Sequence, residues 1–147
     1  MSIVVSVTIA RSPEEVWEDL QHIERHAEWM ADAESISFVG PQRQGVGTRF
    51  DCATKVGPIR LNDAMEITSW EPAARMGVRH QGVVTGEGAF TLTATATGDT
   101  EFRWSERLTF PWWLGGPIGA IVARPILGAI WRRNLHGLRQ RLENLPR

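Results

Sequence analysis

Three ionisable residues stand among apolar neighbours on alternating segments. His80 keeps strand phase with Met76 and Val78, Glu106 with Phe102, Trp104 and Leu108, and Asp63 with Leu61, Met65 and Ile67. On a strand, side chains two apart share a face. If the apolar partners face inward, all three groups point into one apolar space from three strands. Burial moves carboxylate and imidazole pKa values toward neutrality, which is where proton transfer works. A His80–Glu106 pair reads as a general base with its orienting partner, and Asp63 as a third group in catalysis. The plainer alternatives are a wetted Asp63 at a rim and a His80 bonded to backbone. A slip of one residue in phase would instead pair Glu106 with Arg79 or Arg124.

Other chemistry is weaker. His22 and His26 are four apart, a spacing that puts two ligands on one helix face, but no third ligand follows. No metal site is expected. The single cysteine, Cys52, excludes an internal disulfide and a cysteine-based zinc site. It alternates with Phe50 and reads as a small buried residue. No glycine motif cradles phosphate. The net charge of −1 gives no global basic field for nucleic acid. The N-terminus lacks the basic region of a secretory signal, and the cysteine content fits a reducing cytosol, so a cytoplasmic location is expected.

The elements that must position the three groups can be read in order. Ile3, Val5, Val7 and Ile9 alternate with Val4, Ser6, Thr8 and Ala10 as a half-buried strand. Ser12-Pro13-Glu14-Glu15 is an N-cap, a proline at N1 and a glutamate at N3, a capping box. It predicts a helix to about His22 that buries Val16, Leu20 and Trp17, with a second short helix over 24–30. Strands are predicted over 36–39, from the Gly45-Val46-Gly47 turn to about Thr54, and over 60–70, 76–81, 85–97 and 102–110. Gly98-Asp99 is a hairpin signal. Six consecutive strands favour an antiparallel meander. The 147 residues form one domain, 1–147, with no linker or repeat.

The segment FPWWLGGPIGAIVARPILGAIW, residues 110–131, has one charge and three prolines. A membrane span needs roughly 20 apolar residues, but Arg124 would lie near the middle of this one. A long helix from Pro117 to about Asn144 is favoured, kinked at Pro125. Leu127, Trp131, Leu135, Leu138 and Leu142 fall on one face. Arg132, Arg133, Arg139, Arg141 and Glu143 lie elsewhere, the arginines as a solvated face or one that meets an acidic partner or lipid headgroups. Trp112 and Trp113 precede Gly115-Gly116-Pro117. Two adjacent tryptophans are hard to bury together. They suit a portal, a transient membrane contact or a homodimer contact, against ordinary packing on the sheet edge.

The ordered motifs carry a family resemblance. Ser12-Pro13-Glu14-Glu15-Val16-Trp17 looks like "sP.eVw" and Ile23-Glu24-Arg25-His26-Ala27-Glu28-Trp29-Met30 looks like "d.e.y..W.p". Gly45-Val46-Gly47-Thr48 is similar to "GvGt", and Ile67-Thr68-Ser69-Trp70-Glu71-Pro72 to "v.ew.pp.rl". Over nearly its whole length the chain resembles the START/SRPBCC superfamily, most of all its polyketide cyclase/dehydrase and lipid-transport branch. That implies an α+β helix-grip fold: a curved antiparallel sheet of about seven strands on a long C-terminal helix, with two short helices after the first strand. It also implies a cavity between sheet and helix for a hydrophobic small molecule. Strand phase would line it with Phe50, Met65, Ile67, Val78, Phe90, Leu92 and Trp104, and the helix side with Trp113, Ile121 and Trp131. The small residues from Gly115 to Ala129 would leave volume over the sheet. The function expected first is binding or transport of a lipid, isoprenoid, quinone or polyketide-like ligand. A cyclase/dehydratase using His80, Glu106 and Asp63 is second. An interaction module with a vestigial cavity is third. No cofactor is implied.

Overall fold

The computed structural model describes residues 1–146. Strand β1 (Ser2–Ile9) leads into helix α1 (Pro13–Leu20), a 3₁₀ segment (Ile23–Glu28), and strands β2 (Ala33–Val39) and β3 (Arg49–Val56). Next come β4 (Ile59–Glu71), β5 (Arg75–Gln81), β6 (Thr85–Ala94) and β7 (Thr100–Thr109). A short 3₁₀ turn (Trp112–Leu114) then opens the long helix α2 (Gly116–Glu143). All seven strands pair antiparallel in one curved sheet, in the order β1-β7-β6-β5-β4-β3-β2. This is the α+β helix-grip arrangement expected.

Local chemistry explains the elements. In β1 every second side chain is buried, as its apolar alternation requires. The Ser12 hydroxyl accepts the Glu15 N–H while the Glu15 carboxylate accepts the Ser12 N–H, completing the capping box. Helix α1 ends at Leu20, two residues before the predicted His22, because Gln21 caps it and the chain tightens into the 3₁₀ segment. β6 ends at Ala94, not Thr97. Residues 95–99 form a turn closed by Thr95 and Asp99, whose backbone groups bond at 2.8 Å while the Thr95 hydroxyl accepts the Asp99 N–H.

The core lies where α1 and the second half of α2 meet β1, β6 and β7. Trp131, Leu135, Leu138 and Leu142 are buried as read, while Leu127 is half-buried. Each fully buried leucine contributes about 1.5–3 kcal/mol of transfer free energy. Helix α2 runs through Pro125 without a break in its assignment. Arg141 does not belong to a solvated face. Its guanidinium donates to both oxygens of the buried Asp19 at 3.0 Å and also pairs with Glu28, tying α2 to α1. No helix of the described residues is long and apolar enough to cross a membrane.

Candidate functional site

A cavity of about 540 Å³ lies between the sheet and the first half of α2. It remains unfilled because α2 is held to the body by its second half. The first half sets Gly119 and Ala123 among Ile118, Val122, Ile126 and Leu127 toward the cavity, and these side chains line the space without filling it. Phe50, Met65, Ile67, Val78, Phe90 and Trp104 line it in the strand phase expected, and Trp131 lines it from α2. Trp104 and Trp131 stack at 4.7 Å between ring centroids.

Three expected lining residues lie elsewhere. Leu92 keeps phase with Phe90 but sits one pleat further along β6, opposite Phe102, and is buried in the core. Ile121 falls between the cavity-facing Ile118 and Val122 and points to solvent. Trp113 stands on the turn before α2 and is exposed.

The structure brings His80, Glu106 and Asp63 to the cavity wall. His80 Nε2 donates to Glu106 Oε2 at 2.9 Å, and Trp104 Nε1 donates to Glu106 Oε1 at 3.1 Å. His80 stands on β5 and Glu106 on β7, with β6 between them. Neighbouring strands lie about 4.8 Å apart, so this bond spans about twice that spacing. It forms because the β6 residue opposite Glu106 is Gly88. A β-carbon there would collide with the Glu106 carboxyl group. Gly86, the β6 residue opposite His80, has φ +143° and its own β-carbon would strike the Arg107 carbonyl. Gly88 clears the space across β6 in which the glutamate lies, while Gly86 allows the close approach of the Arg107 backbone. Their spacing in Thr85-Gly86-Glu87-Gly88 was the available signal, since glycine inside a strand marks close approach. Arg79, the alternative partner of Glu106, instead faces Glu66 and Glu87.

Asp63 enters from β4. Its neighbours in the ladder are Cys52 on β3 and, by diagonal from the Met65–His80 pair, His80 on β5. Thr54 Oγ1 donates to Asp63 Oδ2 at a long 3.5 Å. Two buried polar atoms find no partner among the described residues of this site: Asp63 Oδ1 and His80 Nδ1. Burial raises the Asp63 pKa, and the positive charge of His80 and the Thr54 bond only partly oppose it. For His80, burial alone would lower the pKa. The hydrogen bond and charge of Glu106, with the charge of Asp63, outweigh burial and the net shift is upward. Protonation is thereby easier than in a free histidine, and in the protonated ring Nδ1–H is the one free donor. Burial pushes the nearby Cys52 thiol up to about 11, so it is not a nucleophile at neutral pH.

His26 is used structurally. His26 Nε2 donates to the Leu20 carbonyl at 2.8 Å inside the core, and its ring meets Trp29 and Phe90. His22 stands near Glu24 at 3.7 Å. Sequence reasoning missed Asp32. Its carboxylate accepts the Trp131 indole N–H at 3.2 Å and the Asn134 amide at 2.7 Å, fixing α2 at the cavity's edge.

A grooved sheet gripping a long helix around an apolar chamber defines a class of small-molecule-binding folds. The chain belongs to the polyketide cyclase / dehydrase and lipid transport family, whose model matches residues 1–143. Among solved structures it is similar to the Zhui aromatase/cyclase of Streptomyces sp. R1128, at 17% identity and TM-score 0.74 over 97% of this chain and 93% of that one. A START superfamily protein from Mycobacterium smegmatis superposes with TM-score 0.78 at 10% identity, over 99% of both chains. Protein MLL2253 from Mesorhizobium loti aligns over the full length of both chains at 21% identity and TM-score 0.74. At such identities the likeness is one of fold. No curated protein matches the chain.

Proposed function

We propose that the protein binds and carries a hydrophobic small molecule that has one polar end. The observation that carries this reading is the pair of unpartnered polar atoms, Asp63 Oδ1 and His80 Nδ1, in the wall of an unfilled apolar cavity. An orphaned buried polar group costs about 1–3 kcal/mol, a cost that a ligand's polar end removes. A ligand acceptor, such as a carbonyl or phenolic oxygen, would take the His80 Nδ1–H. A ligand hydroxyl would donate to Asp63. The remaining walls recognise shape and apolarity alone, as is usual for such sites. The lipid, isoprenoid, quinone and polyketide-like classes all meet these terms.

The 2.9 Å bond between His80 and Glu106 favours a second reading, a cyclase/dehydratase. There His80, oriented by Glu106, would polarise a ligand carbonyl, and Asp63 would move the proton of an aldol-type closure or loss of water. The cavity volume weighs against a module whose chamber is vestigial.

Native mass spectrometry of gently purified protein, with organic extraction, tests the carrier reading. A compound held near unit occupancy supports it. An empty protein that also fails to quench tryptophan fluorescence with a panel of lipids, quinones and aromatic polyketides overturns it. His80→Ala separates the two readings. In a carrier it weakens affinity; in an enzyme it abolishes turnover while affinity stays within a few-fold.

A further inference from the structure

The cavity has a rim, and the rim is apolar on both sides. On one side are Ile118, Val122 and Ile126 of α2, and on the other Val56 and Ile59 at the tip of the β3–β4 hairpin. Ile118 is 75% and Val122 61% exposed, and Ile59 is also exposed. Beside them stand Trp112, 86% exposed, with Trp113 and Ile121. Adjacent apolar side chains this exposed form a surface that water disfavours.

The charges on the α2 side of this surface have one sign. Residues 107–142 contain six arginines and no aspartate or glutamate, in a chain whose net charge is −1. Along α2, Ile118, Val122, Pro125, Ala129, Arg132 and His136 follow at spacings of four and three, and all are exposed. One face of the helix thus runs from an apolar half into a polar half that opens with Arg132, beside Arg133. Arg124, Arg132 and Arg133 have no acidic partner among the described residues. The hairpin carries exposed Lys55 and Arg60 on either side of Val56, Pro58 and Ile59, with Arg60 paired to Glu34 at 3.7 Å.

We propose that this rim, formed by Trp112, Trp113, the outer face of α2 and the β3–β4 tip, docks on anionic lipid bilayers. The tryptophans and isoleucines suit the interface between headgroups and acyl chains, where aromatic rings concentrate. The arginines set back along α2 meet the anionic headgroups. A second copy of this chain fits the surface poorly, because face-to-face packing would oppose arginine with arginine. Docking would place the mouth of the cavity against the acyl region, so that an apolar ligand passes without crossing water. This last step rests on the carrier reading; the docking itself does not.

Sedimentation with vesicles tests it. One set is phosphatidylcholine alone, the other phosphatidylcholine with phosphatidylserine at a ratio of about seven to three. Binding to the anionic vesicles, with a blue shift in tryptophan emission and weakening by salt, is expected. Trp112→Ala/Trp113→Ala should reduce that binding at least about tenfold and remove much of the blue shift. Arg132→Glu/Arg133→Glu should abolish the preference for phosphatidylserine. All four side chains are exposed, and unchanged far-UV circular dichroism confirms that these variants fold. Absence of vesicle binding overturns the inference, as does binding that both double variants retain. A concentration-dependent dimer lost in the tryptophan variant, without vesicle binding, would assign the face to self-association instead. If vesicle binding fails while the cavity still takes up ligand, docking alone is wrong.

Discussion

Gly88 lies directly opposite Glu106 across the β6–β7 pair, and the Glu106 carboxyl group occupies the space that a side chain at residue 88 would fill. The contact between His80 and Glu106, two strands apart, depends on that vacancy. Gly88→Ala is expected to push the carboxylate aside and break its bonds to both His80 and Trp104. The loss should be about 1–3 kcal/mol in urea unfolding, the usual cost of stranding buried polar groups. In a Glu106→Ala background the same change should cost much less, since the group displaced is gone. Equal costs in the two backgrounds would show that the glycine serves the backbone alone.

Glu106 also sets the charge of His80. Its removal leaves burial, the largest influence on the imidazole, nearly unopposed. In Glu106→Gln the His80 pKa should drop from above the ordinary histidine value to below it, followed by NMR of the ring protons. Stability carries the same sign. A histidine whose pKa is raised by folding contributes fully below its unfolded pKa of about 6.5 and loses that contribution as pH rises through the folded value. Wild type should therefore lose stability over that window, and the variant should not.

Asp63 behaves in the opposite sense to an ordinary paired carboxylate. Burial raises its pKa, so ionising it costs stability, and the cost grows from the unfolded pKa of about 3.9 up to the folded value. Asp63→Asn should raise Tm at neutral pH, and the gain should vanish below about pH 3.9. If Asp63 is a ligand contact, the same variant lowers ligand affinity. A more stable but weaker-binding protein is the signature of a functional group held at a structural cost.

The alternation that placed His80, Glu106 and Asp63 on one face was legible because a strand has a strict period of two. One buried apolar neighbour on each side then fixes the phase. Six of the ten expected lining residues follow from the same rule, and Trp131 follows from the apolar face of α2. Leu92 failed because phase gives the face but not how far along the strand the cavity extends. Ile121 and Trp113 failed because an apolar helix end reads as buried when its partners are unknown, whereas here much of it is open to solvent. The Asp19–Arg141 and Asp32–Asn134 contacts join residues more than a hundred positions apart. No local period encodes such pairs. They become visible only once α2 is laid against α1 and the loop before β2.

Asn134 holds that placement. It is buried; its Oδ1 accepts the Ala31 N–H at 3.0 Å and its Nδ2 donates to Asp32 at 2.7 Å. Asp32 in turn accepts the indole N–H of Trp131, whose ring stacks on Trp104 in the cavity wall. One amide thus links the loop before β2 to the helix that closes the chamber. Asn134→Ala strands a backbone donor and deprives the Asp32 carboxylate of its shortest bond, at a cost of about 1–3 kcal/mol. The first half of α2 has little packing of its own, so loosening this link should free it further. Hydrogen exchange over 116–130 should accelerate more than in β6 and β7, and bound ligand should leave faster with its association rate little changed. If exchange rises uniformly across the sheet instead, Asn134 supports the global fold and not the gate.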